Sequence, residues 1–218
     1  MNTQHELFEK RAGIYWWFST LLIREMDHEQ VDALTGKPGI EFFDAFAAEG
    51  MNKEVDELQS ALERLESNGE LRLELAADYA QTFLRDGKNS ALPYASIYRS
   101  RDGLLYQQAQ REMTELLQRK GLALDETLGE PADHIAVQLD FMGNLILSGI
   151  NASDNNQLQE GLNEQLAFIN DQLMNWIPQL VEKSRHIQDA LFYPALCRLL
   201  LAYLQKEHDF LITEGEQS

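Results

Sequence analysis

An acid and an imidazole stand side by side at Asp133 and His134, inside the run Glu130-Pro131-Ala132-Asp133-His134-Ile135-Ala136-Val137-Gln138-Leu139-Asp140-Phe141-Met142. Carboxylate and imidazole are the usual carriers of protons near neutral pH, so the pair could act as a general acid–base couple. It could equally open a helix. Pro131 suits the first helical position, where its missing N–H costs nothing, and Asp133 in the first turn meets the positive end of the helix dipole. A third reading makes the stretch a recognition site for another protein. A catalytic couple needs a further group to orient it, and the sequence names none.

Other reactive side chains are as ambiguous. Ser96 lies in Leu92-Pro93-Tyr94-Ala95-Ser96-Ile97-Tyr98-Arg99 without the glycine-flanked elbow or neighbouring base of a nucleophile, so it reads first as a turn or helix cap. Tyr94 and Tyr98 are four apart and would share a face on a helical turn; core packing and a peptide groove both remain open. Glu25-Met26-Asp27-His28 supplies one Glu-x-x-His motif, but a carboxylate-bridged metal bundle needs two. No phosphate-binding glycine loop is present. No metal or cofactor is expected.

The elements that must position these groups read as helices throughout. Ile14, Trp17, Phe18, Leu21 and Leu22 share a face, as do Val55, Leu58, Leu62 and Leu65. Leu71, Leu75, Tyr79 and Thr82 continue after a break at Asn68-Gly69. Leu105, Ala109, Met113, Leu116 and Leu117 predict a helix ending near Gly121. Ile135, Leu139, Met142 and Ile146 line the helix after Pro131. Leu158, Leu162, Leu166, Ile169, Leu173 and Trp176 form the cleanest stripe, Pro178 starts a short helix, and Phe192, Ala195, Leu196, Leu199 and Tyr203 mark the last. Residues 86–100, 122–130 and 149–156 read as irregular. No alternation or hairpin turn argues for a sheet. The expected fold is an all-α, compact multi-helix bundle: one domain over 1–218, with an N-terminal half (1–121), a linker (122–130) and a C-terminal half (131–218).

Composition narrows the function. A net charge of −18, from 36 acids and 18 bases, repels nucleic acid and anionic lipid and favours a cationic partner. Cys197 is the only cysteine, which excludes an intrachain disulfide and fits a reducing compartment. Lys10-Arg11 precede the apolar run 14–23, but Arg24-Glu25 follow at once and no cleavage site does; neither an export signal nor a membrane span is expected.

Three ordered blocks resemble the TorD family of redox-enzyme maturation chaperones. They are Glu130-Pro131-Ala132-Asp133-His134 with the helix after it, Arg72-Leu73-Glu74-Leu75-Ala76-Ala77-Asp78-Tyr79, and Ala91-Leu92-Pro93-Tyr94-Ala95-Ser96-Ile97-Tyr98-Arg99. Together they cover about a quarter of the chain. The latter two look closest to the members dedicated to trimethylamine N-oxide reductase. Where the family pattern commonly has glutamates after the Asp-His pair, this chain has Gln138 and Asp140, so one carboxylate is lost and one shortened. The resemblance implies a cytoplasmic, non-enzymatic, all-helical chaperone. Such a protein binds the twin-arginine signal peptide and the apo-form of a molybdoenzyme, and holds back export until the client's own molybdenum cofactor is inserted. It implies a client site drawn from Tyr94, Ser96, Tyr98, Glu130, Pro131, Asp133, His134, Asp140 and Phe141, and leaves open a homodimer formed by segment exchange. The alternatives are a general helical adaptor indifferent to the arginine pair and a hydrolase using Asp133 and His134.

Overall fold

The computed structural model describes residues 2–86, 89–124, 129–152 and 154–216. Residues 125–128 of the predicted linker, and 87–88 and 153 in the other irregular stretches, lie outside them. The elements are α1 (Asn2–Leu22), α2 (His28–Thr35), α3 (Lys37–Ala48), α4 (Asn52–Asn68), α5 (Leu71–Tyr79), a π-helical turn (Ala80–Leu84), α6 (Ala95–Arg99), α7 (Gln108–Arg119), α8 (Ile135–Ser148), a 3-10 turn (Gly149–Asn151), α9 (Asn155–Phe168), a second π-helical turn (Ile169–Met174), α10 (Ile177–Ser184) and α11 (Phe192–Glu216). The chain is all-α: among the described residues the only strand-like pairing is one bridge, between Tyr94 and His134. No helix among them is long and apolar enough to cross a membrane.

Backbone contacts group these elements into two units, each built from separated pieces of chain. The first comprises Met1–Ile23, Pro93–Ile177 and Lys206–Ser218. Its centre is α8, buried on nearly every side, with α1 packed along it. Gly143 makes that close approach possible: a Cβ there would come within 2.6 Å of the Trp16 Nε1. Gly143→Ala gains up to ~1 kcal/mol of helix propensity but must push back an indole. We expect a net loss of about 1–2 kcal/mol in urea denaturation, overpacking costing more than propensity returns; an unchanged midpoint would show that Trp16 yields freely. In the same unit Arg11, 4% exposed, donates to Glu207 (Nη2 to Oε2, 2.8 Å) and to the Gln165 amide oxygen at 2.9 Å. Its guanidinium lies 4.7 Å from the centroid of the Phe210 ring. Burial, with the charge of Glu207 beside it, pushes the Tyr15 hydroxyl well above its ordinary value.

The second unit comprises Arg24–Leu92 and Pro178–Gln205. Helix α2 opens on a reciprocal cap, in which the Asp27 carboxylate accepts from the Gln30 N–H and the Gln30 side chain accepts from the Asp27 N–H. The α4 stripe Val55, Leu58, Leu62 and Leu65 is buried as its spacing predicts. Tyr79, Phe83 and Tyr193 meet edge to face with centroids 5.0–5.4 Å apart. Beside them the Asp78 carboxylate accepts three backbone N–H groups at the start of α11: Leu191 and Phe192 on Oδ2, and Tyr193 on Oδ1 at 2.9 Å.

Three sequence expectations are corrected. Pro131 and Asp133 are not in a helix; the helix starts at Ile135 with His134 as its cap. Residues 95–99, read as irregular, form the short helix α6. Leu105 precedes α7 rather than starting it. In the first two cases the cause is long-range pairing between 93–96 and 133–135, which no local pattern encodes.

Candidate functional site

The Pro93–Arg99 and Glu130–Phe141 stretches are hydrogen-bonded into one substructure. The Ile135 N–H donates to the Pro93 carbonyl at 2.9 Å, and the Ala95 N–H donates to the Asp133 carbonyl at 3.0 Å. Proline suits this place, because Pro93 is asked only to accept. Each strand-like segment then caps a helix. The Asp133 Oδ2 accepts from the Ser96 N–H at 2.8 Å, in the first turn of α6. The His134 Nδ1 accepts from the Ala136 N–H at 3.2 Å, in the first turn of α8. An accepting Nδ1 puts the ring proton of neutral His134 on Nε2. Burial at 1% exposure pushes its pKa down to about 3, so the ring is neutral in the folded protein at ordinary pH.

Asp133 and His134 therefore do not face each other as an acid–base couple. The Asp133 Oδ2 and the His134 Nδ1 each accept from a backbone N–H, and neither side chain reaches the surface. Ser96 is buried too, and its Oγ accepts from the Gln107 N–H at 3.1 Å. The hydrolase arrangement is not assembled. Among the described residues no group of three or more His, Cys, Asp or Glu side chains is placed to hold a metal ion.

Tyr94 and Tyr98 do not share a helix face. Tyr94, in extended conformation just before α6, donates its hydroxyl to the Glu130 Oε2 at 2.8 Å and packs edge to face on the His134 ring, 5.1 Å between centroids. Tyr98 stacks on Trp176 at 5.5 Å, and the Trp176 indole N–H donates to the Gln138 side-chain oxygen at 3.1 Å and the Gln172 carbonyl at 2.8 Å. Gln138 is thus a buried packing partner of an aromatic stack. Its amide accepts from an indole where a glutamate would bring a charge needing desolvation. Pro131 is partly exposed. Phe141 points inward against Phe168, 4.9 Å between centroids. Asp140 is exposed, with the Asn144 amide donating to it at 3.1 Å and the Trp16 indole beside it.

Sequence reasoning missed the partners of Arg99. Its guanidinium donates to the Glu112 Oε2 at 2.7 Å and to the Gln172 Oε1 at 3.2 Å. Burial alone would raise the Glu112 carboxyl; the hydrogen bonds from Arg99 and Gln108 and the charge of Arg99 outweigh it and hold the carboxyl below its ordinary value. These partners lie 13 and 73 residues from Arg99, and no spacing rule links them.

The family model described as "Nitrate reductase delta subunit" matches residues 45–182. The chain is 41% identical over 210 residues to the chaperone protein TorD of Photobacterium profundum, covering 94% of this chain and 96% of that protein. It is 38% identical to the TorD chaperone of Vibrio parahaemolyticus, with the same coverage. Against the TorD chaperone of Vibrio cholerae El Tor it is 38% identical over 202 residues, 92% of this chain and 91% of that one. With a family model over more than half of its length and such relatives along nearly all of it, the chain belongs to the TorD family of redox-enzyme maturation chaperones, cytoplasmic, non-catalytic proteins that assist a partner molybdoenzyme to maturity.

Proposed function

We propose that this chaperone binds the twin-arginine signal peptide and the apo-form of a molybdoenzyme, trimethylamine N-oxide reductase, and holds it from export until the client's molybdenum cofactor is in place. The client surface is drawn from Tyr94, Ser96, Tyr98, Glu130, Pro131, Asp133, His134, Asp140 and Phe141, with the labour divided by burial. Ser96, Asp133, His134 and Phe141 hold the surface in shape from within. Tyr94, Glu130, Pro131 and Asp140 reach solvent and can touch a client. A homodimer formed by exchanging segments across the 122–130 linker belongs to the same reading.

The observation that carries the proposal is the clasp itself: two motif blocks 37 residues apart are joined by the Asp133–Ser96 hydrogen bond, and within the second block's stretch Glu130 is half-buried and Asp140 exposed. A twin-arginine peptide offers two planar guanidinium forks, which carboxylates bind with charge-assisted hydrogen bonds. The −18 field further speeds encounter with a cationic peptide at low salt.

Titration of the full chain with a labelled twin-arginine signal peptide of a molybdoreductase, followed by anisotropy, tests this. We expect Asp140→Lys to weaken binding ~10-fold, as like charge replaces a carboxylate, with the circular dichroism spectrum unchanged because Asp140 is exposed. Replacing both peptide arginines by glutamine should weaken binding at least as much. A peptide bound equally well without its arginines would favour a general helical adaptor. No binding of either peptide or apo-reductase would sink the proposal.

A further inference from the structure

Asn68-Gly69, the only asparagine–glycine pair in the chain, stands at the joint between α4 and α5. Asn68 is the last residue of α4, α5 starts at Leu71, and Asn68, Gly69 and Glu70 are all exposed. A glycine just past a helix commonly takes the left-handed conformation, and its N–H closes the last turn. Gly69 does neither. Its φ is 173°, which is extended backbone, and among the described residues no acceptor is placed for its N–H. Gly36, just past α2, instead donates to the Asp32 carbonyl at 2.9 Å. The end of α4 is therefore free to fray. No Cβ stands beside the Gly69 nitrogen. The nearest atom to a Cβ placed there is the Glu74 Oε1, at 3.2 Å, on a flexible side chain.

We propose that Asn68 and Gly69 form a self-modification site, at which the Asn68 side chain cyclises onto the Gly69 nitrogen and reopens as a carboxylate. The Gly69 nitrogen attacks the Asn68 Cγ. The N–Cγ bond forms, the Cγ–Nδ2 bond breaks, and the amide nitrogen leaves as ammonia with the proton from Gly69. The product is a five-membered imide, and water opens it at one of its two carbonyl carbons. Opening at Cγ leaves an ordinary aspartyl peptide. Opening at the backbone carbonyl leaves an isoaspartyl linkage, with the chain running through Cγ. No electrons are exchanged, and water is the sole co-reactant. Either product adds a negative charge to a chain already at −18 and sets it at the negative end of the α4 dipole, where it is unfavourable. The isoaspartyl form also lengthens by one carbon the joint that sets α5, whose Asp78 holds the start of α11.

The fold favours this asparagine over its closest rival, Asn89, which is also exposed and followed by a small residue. The Asn89 amide donates to both oxygens of the Asp86 carboxylate, at 2.9 and 3.0 Å. Ser90 after it is fully buried, with its Oγ donating to the Arg85 carbonyl at 3.0 Å. The Asn68 reaction needs no client, so it stands apart from the signal-peptide proposal.

The test incubates the full folded chain in warm, mildly alkaline buffer. Mass spectrometry then follows the tryptic peptide 65–72, released by cleavage after Arg64 and Arg72. Conversion exchanges an amide NH2 for OH and divides the peptide between aspartyl and isoaspartyl forms. We expect Asn68 to convert ~10-fold or more faster than Asn89, a barrier lower by about 1.4 kcal/mol or more. Gly69→Ala should slow the conversion ~10-fold or more, because the new Cβ crowds the attacking nitrogen. The blocked peptide 65–72 free in solution should convert within ~10-fold of the folded chain, since a frayed helix end opens at little cost. If the circular dichroism of Gly69→Ala departs from wild type, the comparisons with Asn89 and with the free peptide carry the test. Conversion no faster at Asn68 than at Asn89, an unaltered rate in a folded Gly69→Ala, or a free peptide more than ~10-fold faster than the folded chain would each overturn the proposal.

Discussion

Asp78→Ala is expected to cost about 3 kcal/mol of stability, because it leaves buried backbone N–H groups without their acceptor. The side chain is 3% exposed and accepts from the N–H groups of Leu191, Phe192 and Tyr193. These donors open α11, where no intrahelical acceptor exists. Most helices solve this with a side chain next door in sequence. Here the acceptor comes from α5, 113–115 residues earlier, so one carboxylate both caps a helix and fastens two distant segments of the second unit. Alanine would leave buried donors unpaired, each costing ~1–3 kcal/mol though not additively. Asn keeps one acceptor and should recover part of the loss. Urea denaturation of the three proteins checks the order wild type, Asn, Ala; an Ala variant within ~0.5 kcal/mol of wild type, the usual span of a neutral surface change, would show that water replaces the carboxylate at no cost. Burial pushes the Asp78 carboxyl up, with the three N–H groups opposing in part. Any pH dependence it contributes therefore runs toward lower stability as pH rises through its raised pKa.

His134 gives the opposite sign. The unfolded chain takes up a proton at this residue near pH 6.5, whereas the folded chain resists until about pH 3. Between those values the unfolded state binds more protons, so stability is full above pH 6.5 and falls as pH drops, by ~1.4 kcal/mol per unit. About 2 kcal/mol should be gone by pH 5 on that slope. Protonation would destroy the Nδ1 acceptor that caps α8 at Ala136 and place a cation at the positive end of the helix dipole. His134→Asn keeps a good cap and removes the titration. The difference between the wild-type and His134→Asn stability curves from pH 7 to 5 isolates this residue from every other group. Parallel curves would mean that the imidazole charges in the folded state without resistance.

The contrast between these two residues shows what the sequence made legible. Periodicity placed most of the apolar face, because amphipathic spacing is a local property of a helix: in the predicted stripe Leu162, Ile169, Leu173 and Trp176 are buried, while Leu158 and Leu166 are half-buried. Pro131, Asp133 and His134 were legible as capping chemistry, but the helix begins at Ile135. What moved the start is the backbone pairing of Pro93 and Ala95 with Ile135 and Asp133, a contact between segments with no shared pattern. The role of Asp78 was hidden for the same reason. The two family-like blocks at Tyr94–Arg99 and Glu130–Phe141 are joined in the fold, which no local pattern foretells; that Asp133, His134 and Ser96 face inward, and that Tyr98 stacks on Trp176, depends on tertiary packing alone.

The buried Arg11–Glu207 pair sets a timetable for synthesis. Arg11 leaves the ribosome 196 residues before its partner. Until the final helix emerges, α1 carries a guanidinium that cannot enter the core, because an unpaired charge is too costly to desolvate. The first unit thus cannot close around its N-terminal helix while the chain is still being made. Pieces that fold early must wait for Glu207, with Gln165 and the Phe210 ring, to neutralise and cover that charge. The first unit is completed only when the helix that carries Glu207 arrives.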